Sequence, residues 1–123
     1  MRRRSLLPTE QELEIMKILW ARGEATVRDV YEELRQHRTV AYTTVMTMLG
    51  VLEGKQHVQK LAGEDRAFIY RPVLPRDEVV ANMTNEFVGR VFNGSGRALV
   101  EQMLQNGSIS REELNEISRL PLN

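Results

Sequence analysis

The order of elements predicts a mainly α protein with a small β-hairpin. Three short helices precede the hairpin and an all-helical second half follows it, giving two domains over 1–72 and 73–123. Three observations carry this prediction. Up to Gly54, apolar residues recur at helical spacing behind capping residues. From Val58 to Tyr70 they alternate as in strands. Two of the four prolines then fall together in Arg71-Pro72-Val73-Leu74-Pro75, a linker-like segment after which helical spacing resumes. A chain of 123 residues has room for one domain or two very small ones.

The first helix opens at Thr9-Glu10-Gln11-Glu12, just after Pro8. This is a capping box, in which the threonine hydroxyl accepts from the amide three residues on and the glutamate returns to the cap's own amide. Leu13, Met16 and Trp20, flanked by Ile15 and Leu19, form its apolar stripe, and Gly23 stops it. Thr26 with Asp29 opens a second helix striped by Val27, Val30, Tyr31 and Leu34, the spacing of one buried face. After His37-Arg38-Thr39 a third helix is expected from Ala41 to Glu53, with Ala41, Val45, Met48, Leu49 and Leu52 inward. Val58 and Leu61, then Phe68 and Tyr70, alternate around a turn at Ala62-Gly63-Glu64-Asp65. Three helices followed by a hairpin is the order of a winged helix-turn-helix domain.

In the second half, Val80, Met83 (or Thr84), Phe87, Val88 and Val91 make one long stripe, ended by Asn93-Gly94. Ala98, Leu99, Met103 and Leu104 make a second, ended by Asn106-Gly107, and Ser110 with Glu113 caps a third carrying Leu114 and Ile117. A unit of about 48 residues rarely buries enough surface to stand alone. The expected solution is burial against a second copy, so this half reads as a C-terminal helical dimerisation domain of C2 symmetry. Its contact residues would be Met83, Phe87, Val91, Leu99, Met103, Leu104, Leu114 and Ile117.

Composition narrows the function. With no cysteine, disulfides, thiolate metal sites and cysteine nucleophiles are excluded. No apolar run approaches the roughly 20 residues of a membrane span. Met1-Arg2-Arg3-Arg4 resembles the start of a signal peptide, but Pro8-Thr9-Glu10 leaves no apolar stretch behind it, so a cytoplasmic location is expected. His37 and His57 lack partners at metal-ligand spacing and read as surface or turn histidines. No Ser-His-Asp pattern or glycine-rich phosphate loop occurs, so neither an enzyme nor a cofactor is expected. Glu32-Glu33 and Glu112-Glu113 read as solvated helix faces, and Met46, Met48 and Met83 as packing residues.

Seventeen basic residues balance seventeen acidic ones, which argues against nucleic acid as a partner. The balance is uneven along the chain. Residues 1–72 carry 12 basic and 10 acidic side chains, a net of +2, and residues 73–123 carry 5 and 7, a net of −2. Stepping about 100° per residue with Val45 inward puts Thr43, Thr47, Gly50 and Gly54 on the outer face of the third helix. Tyr42 and Met46 then lie on one flank, Thr44 and Val51 on the other. From Thr39 to Gly50 there is no acidic residue. A small, hydroxyl-rich, acid-free face suits the major groove, where threonine reaches phosphates, base edges and the thymine methyl. The expected DNA contacts are therefore Tyr42, Thr43, Thr44 and Thr47 in the groove, with Lys55, Lys60 and Arg66 on phosphates. Arg71 sits near a strand end, and Arg2 to Arg4 read either as a flexible phosphate-contacting arm or, the commoner case for such a tail, as a disordered solubilising segment. The alternative is a winged-helix protein-interaction module without sequence-specific DNA binding, in which the same helix packs on another protein.

The run Ala41-Tyr42-Thr43-Thr44-Val45-Met46-Thr47-Met48-Leu49, followed by Asp65-Arg66-Ala67-Phe68-Ile69-Tyr70-Arg71-Pro72, resembles the penicillinase repressor (BlaI/MecI/CopY) family of transcriptional regulators. The segment from Thr9 to Trp20, closing in Leu19-Trp20, is similar as well. The resemblance implies a homodimeric repressor on double-stranded, palindromic operator DNA. In the best-known members it also implies a membrane sensor protease that acts on the C-terminal domain and releases the DNA. This chain departs from the family pattern in three places. Without cysteine, the copper-thiolate switch of one branch is excluded on chemical grounds. Val51 stands where the family usually has arginine, and Gln56 follows Lys55 where Lys-Gly is usual. Gln102-Met103 stands where the staphylococcal members have their Asn-Phe cleavage dipeptide.

Overall fold

A computed structural model describes residues 6–122, so the expected arm at Arg2 to Arg4 lies outside the described residues. The chain forms two compact units, one reaching Asn82 and the other beginning at Met83.

In the first unit, α1 (Glu10–Arg22) starts on a complete capping box: Glu12 N–H donates to Thr9 Oγ1 and Thr9 N–H to Glu12 Oε1. It ends at Gly23, whose φ of 89° is open to glycine at little cost. The inward face is rotated slightly from the expected stripe. Ile15, Met16, Ile18 and Leu19 are buried, while Leu13 and Trp20 are half-buried. Trp20 keeps its indole at the rim because Nε1–H donates to the Leu74 carbonyl, 3.1 Å away. A buried N–H needs such a partner.

Gly23 is followed by a short strand that the sequence pattern did not announce, β1 (Ala25–Thr26). A two-residue strand is too short to show alternation, and Thr26 also serves as the cap of α2 (Val27–Leu34) through a second capping box with Asp29. The third helix, α3, runs Tyr42–Gly54. Ala41, expected inward, is its exposed N-cap, while Val45, Leu49 and Leu52 are buried and Met48 is half-buried. Two strands, β2 (Val58–Ala62) and β3 (Phe68–Pro72), pair antiparallel in the register Val58 with Pro72 and Ala62 with Phe68. β1 pairs with the outer side of β3, so the sheet order is β1-β3-β2.

The core lies between these helices and the sheet and includes Ile15, Met16, Leu19, Val30, Leu34, Val45, Leu49, Leu52, Val58 and Tyr70. Helices α2 and α3 with the hairpin constitute a winged helix-turn-helix, as the element order predicted. His57, read as a surface or turn histidine, is in the turn after α3 but buried. Its Nε2 hydrogen-bonds the Leu6 carbonyl, and its backbone carbonyl accepts from Val73 N–H. These bonds give it partners that sequence spacing does not reveal.

Helix α4 (Arg76–Phe92) begins in the first unit, where Val79 is fully buried, and its later turns belong to the second. It ends at Asn93 and Gly94, both at positive φ. Helix α5 (Gly96–Asn106) is capped by Ser95 and closed by left-handed Gly107, and α6 (Arg111–Ser118) opens on the capping box of Ser110 with Glu113. These ends follow the sequence expectation because each depends on local side-chain and glycine chemistry. Among the described residues from 83 to 122 none is buried. Met83, Leu99, Met103, Leu104 and Leu114 are half-buried, while Phe87, Val91 and Ile117 are more exposed still.

Candidate nucleic-acid interface

The surface of α3 follows from how its buried face is spent. Val45, Leu49 and Leu52 fill the core, so helical geometry sends Thr43, Thr47 and Gly50 to solvent, with Tyr42, Thr44, Met46 and Val51 beside them. All seven are exposed. No acidic residue lies in the first turn of α3, and Ala41 supplies no side-chain acceptor to its amides. Those amides and the positive end of the helix dipole suit a phosphate oxygen.

Tyr42 is held from α2. Its ring stands edge-to-face on Tyr31 with centroids 5.4 Å apart, and the Arg28 guanidinium lies 5.5 Å from its centroid. Arg28 thus lies at the edge of the exposed α3 face, a neighbour that the sequence pattern did not announce. Arg28 and Tyr42 are fourteen positions apart, and only the crossing of α2 over α3 brings them together.

The wing shows a different arrangement of cations. Lys60 Nζ lies 4.1 Å from the centroid of Phe68, whose ring is half exposed on the hairpin. Arg66 is exposed at the tip, where Asp65 and Arg66 both have positive φ. Gly63 closes the tip because nothing larger fits: a Cβ there would lie 2.7 Å from the Ala67 carbonyl oxygen and 2.8 Å from Ile69 Cγ1. At the hairpin base, Arg71 Nη2 pairs with Glu24 at 2.7 Å. Tyr70 in β3 is buried, and its phenol is pushed above its ordinary value of 10.0, first by burial and then by Glu53 and Tyr42.

Lys55 sits apart from these groups. Its Nζ is 2.7 Å from Glu12 Oε1 and 3.0 Å from the Leu7 carbonyl. Both side chains are largely buried, at 18% exposed for Lys55 and 8% for Glu12. The ammonium therefore ties the end of α3 to the start of α1. The structure brings Tyr42, Thr43, Thr44 and Thr47 together on one face and sets Lys60 and Arg66 on the hairpin, with Lys55 engaged inside the fold.

Among the described residues, no helix is long and apolar enough to cross a membrane, and no group of three or more His, Cys, Asp or Glu could hold a metal ion. Residues 8–121 match the model of the penicillinase repressor family. The chain belongs to the penicillinase repressor family. It is 30% identical over 112 residues to a penicillinase repressor of Bacillus licheniformis, covering 91% of this chain and 87% of that protein. It is 41% identical over 87 residues to the transcriptional regulator BlaI of Mycobacterium tuberculosis, covering 70% and 62% respectively. A methicillin resistance regulatory protein, MecI, of Mammaliicoccus sciuri is 21% identical over 109 residues, covering 89% and 88%. The matched span of residues 8–121 includes the whole of α3 and its exposed face.

Proposed function

We propose that this chain is a transcriptional repressor acting in the cytoplasm as a homodimer on palindromic double-stranded DNA. Residues 1–72 serve as the reader and 73–123 as the dimerisation half. In this reading Tyr42, Thr43, Thr44 and Thr47 enter the major groove, with Lys60 and Arg66 on phosphates across the wing. The observation that carries it is the acid-free, threonine-lined outer face of α3, with its uncapped N-terminus. The names of the relatives as repressors and regulators support the same role. Two copies related by a dyad would present two such helices to half-sites about one helical turn apart. Apolar side chains left half-buried or exposed on α4, α5 and α6 favour a second copy as their cover. A membrane sensor protease acting on this half would meet Gln102-Met103 inside α5, which must unwind before a peptide bond there is cut.

The test is a fluorescence titration of the full chain against DNA from just upstream of its own coding sequence and a scrambled duplex of equal composition. Thr44→Ala with Thr47→Ala should cost on the order of 1–3 kcal/mol on the upstream duplex and little on the scrambled one. Equal loss on both sinks the base-reading role. Exposed Met46 and Val51 favour a second reading, a protein-interaction helix. That reading gains if low salt reveals no preference for the upstream DNA.

A further inference from the structure

Tyr42 belongs to a closed array of side chains that lies against the N-terminal end of α3. Arg28 lies over Tyr42, Tyr42 stands on Tyr31, and Arg35 lies 5.7 Å over Tyr31. One carboxylate closes the array. Glu32 Oε1 is 3.0 Å from Arg35 Nη1, and Glu32 Oε2 is 3.4 Å from Arg28 Nη1. Each oxygen of a single carboxylate thus engages a different guanidinium, as two non-bridging oxygens of one phosphodiester would. All three charged side chains remain about half exposed or more, within reach of a polyanion.

We propose that Glu32 is an internal stand-in for a DNA phosphate that holds Arg28 and Arg35 and restrains the protein on non-specific DNA. The proposal rests on the reading of α3 as the DNA-reading helix and adds a specificity-determining residue to it. Its logic is electrostatic. Non-specific binding is supplied almost entirely by cations that neutralise phosphates and release counterions. A carboxylate between two arginines removes one unit of that positive charge from every encounter, whatever the sequence. On an operator, Tyr42 and the threonines dock against base edges and fix α2 against the backbone. Phosphate oxygens then replace the carboxylate at Arg28 and Arg35, a substitution that a mismatched site, lacking the docked register, does not enforce. The weakness of exposed ion pairs is what permits the exchange.

The experiment compares the full chain with Glu32→Gln on the upstream duplex and the scrambled duplex over a series of salt concentrations. Glutamine keeps the length and polarity of the side chain and removes its charge. Scrambled-duplex affinity should rise several-fold at low salt. The slope of log K against log salt should steepen by about 0.9, the value of one added phosphate neutralisation. Upstream-duplex affinity should rise less, so the ratio between the two falls. In a background carrying Arg28→Ala and Arg35→Ala, Glu32→Gln should have no such effect, which separates the array from a general change in net charge. Unchanged scrambled-duplex binding, an equal rise on both duplexes, or persistence of the effect without the arginines overturns the proposal. If the unaltered chain shows no preference for the upstream duplex, the reading of α3 fails, and with it the specificity role of Glu32.

Discussion

Replacing Lys55 by methionine separates two roles that one ammonium cannot fill together. As a phosphate contact, Lys55 would add to DNA affinity and its salt dependence while leaving stability nearly unchanged. As the partner of Glu12 at 2.7 Å, it compensates a carboxylate whose side chain is only 8% exposed. Removing one member of a buried pair costs about 3–5 kcal/mol, because the remaining charge loses its partner. Two features lower that figure here. Lys55 is 18% exposed, so water reaches the vacated space, and Thr9 N–H still donates to Glu12 Oε1 at 3.0 Å. A loss of about 2–3 kcal/mol follows, which in a domain of this size lowers the melting temperature by roughly 10–20 °C. Adding Glu12→Gln should restore most of the loss, since glutamine preserves the capping box and no charge is left stranded. The assay is thermal unfolding of the two variants by circular dichroism, followed by DNA titration below the lowest transition. The expected result is a large melting shift with an unchanged salt slope. A melting shift under about 3 °C together with a slope shallower by about 0.9 would show that the ammonium faces phosphate, and would refute the structural role.

Two further outcomes test the wing and the second half. Gly63→Ala should open the hairpin tip, since its Cβ would lie within 3.0 Å of the Ala67 carbonyl and the Ile69 side chain. A cost of about 1–3 kcal/mol is expected, together with weaker DNA binding and altered amide exchange confined to β2 and β3; unchanged exchange at the tip would contradict the clash. Met103→Glu with Leu104→Glu places two charges on a face proposed to be covered by a second copy. Analytical ultracentrifugation should then record monomer in place of dimer, with upstream-duplex affinity lower by on the order of 10²-fold from lost bivalency. A dimer that survives both charges would move the interface elsewhere.

Several elements were legible in the sequence because their causes are local. Thr9 with Glu12, Thr26 with Asp29 and Ser110 with Glu113 each satisfy orphan amides within three residues, and all three capping boxes occur where the pattern puts them. Gly23 and Gly107 end their helices at positive φ for an equally local reason. Helical periodicity also sufficed to turn Thr43 and Thr47 outward once Val45 was set inward. Less legible were features whose cause lies in another element. The two residues of β1 form a strand only because β3 offers a free edge at Ile69 and Tyr70. His57 is buried because the Leu6 carbonyl reaches it across 51 positions.

By itself the sequence determined the number and order of the helices ahead of the hairpin, the hairpin and the character of the α3 face. Spacing, capping and the absence of acidic residues are properties of neighbours along the chain. Only the tertiary structure decided what each charged side chain faces. It turned Lys55 inward to Glu12, gave Arg71 to Glu24, and set Arg28 against Tyr42 under the hold of Glu32. Net charge counts side chains without regard to their partners, and Coulomb interactions at a few ångströms depend on which partner the fold supplies. A net charge of zero therefore leaves the local charge of each surface undetermined, because the fold decides which carboxylates lie close enough to cancel which cations.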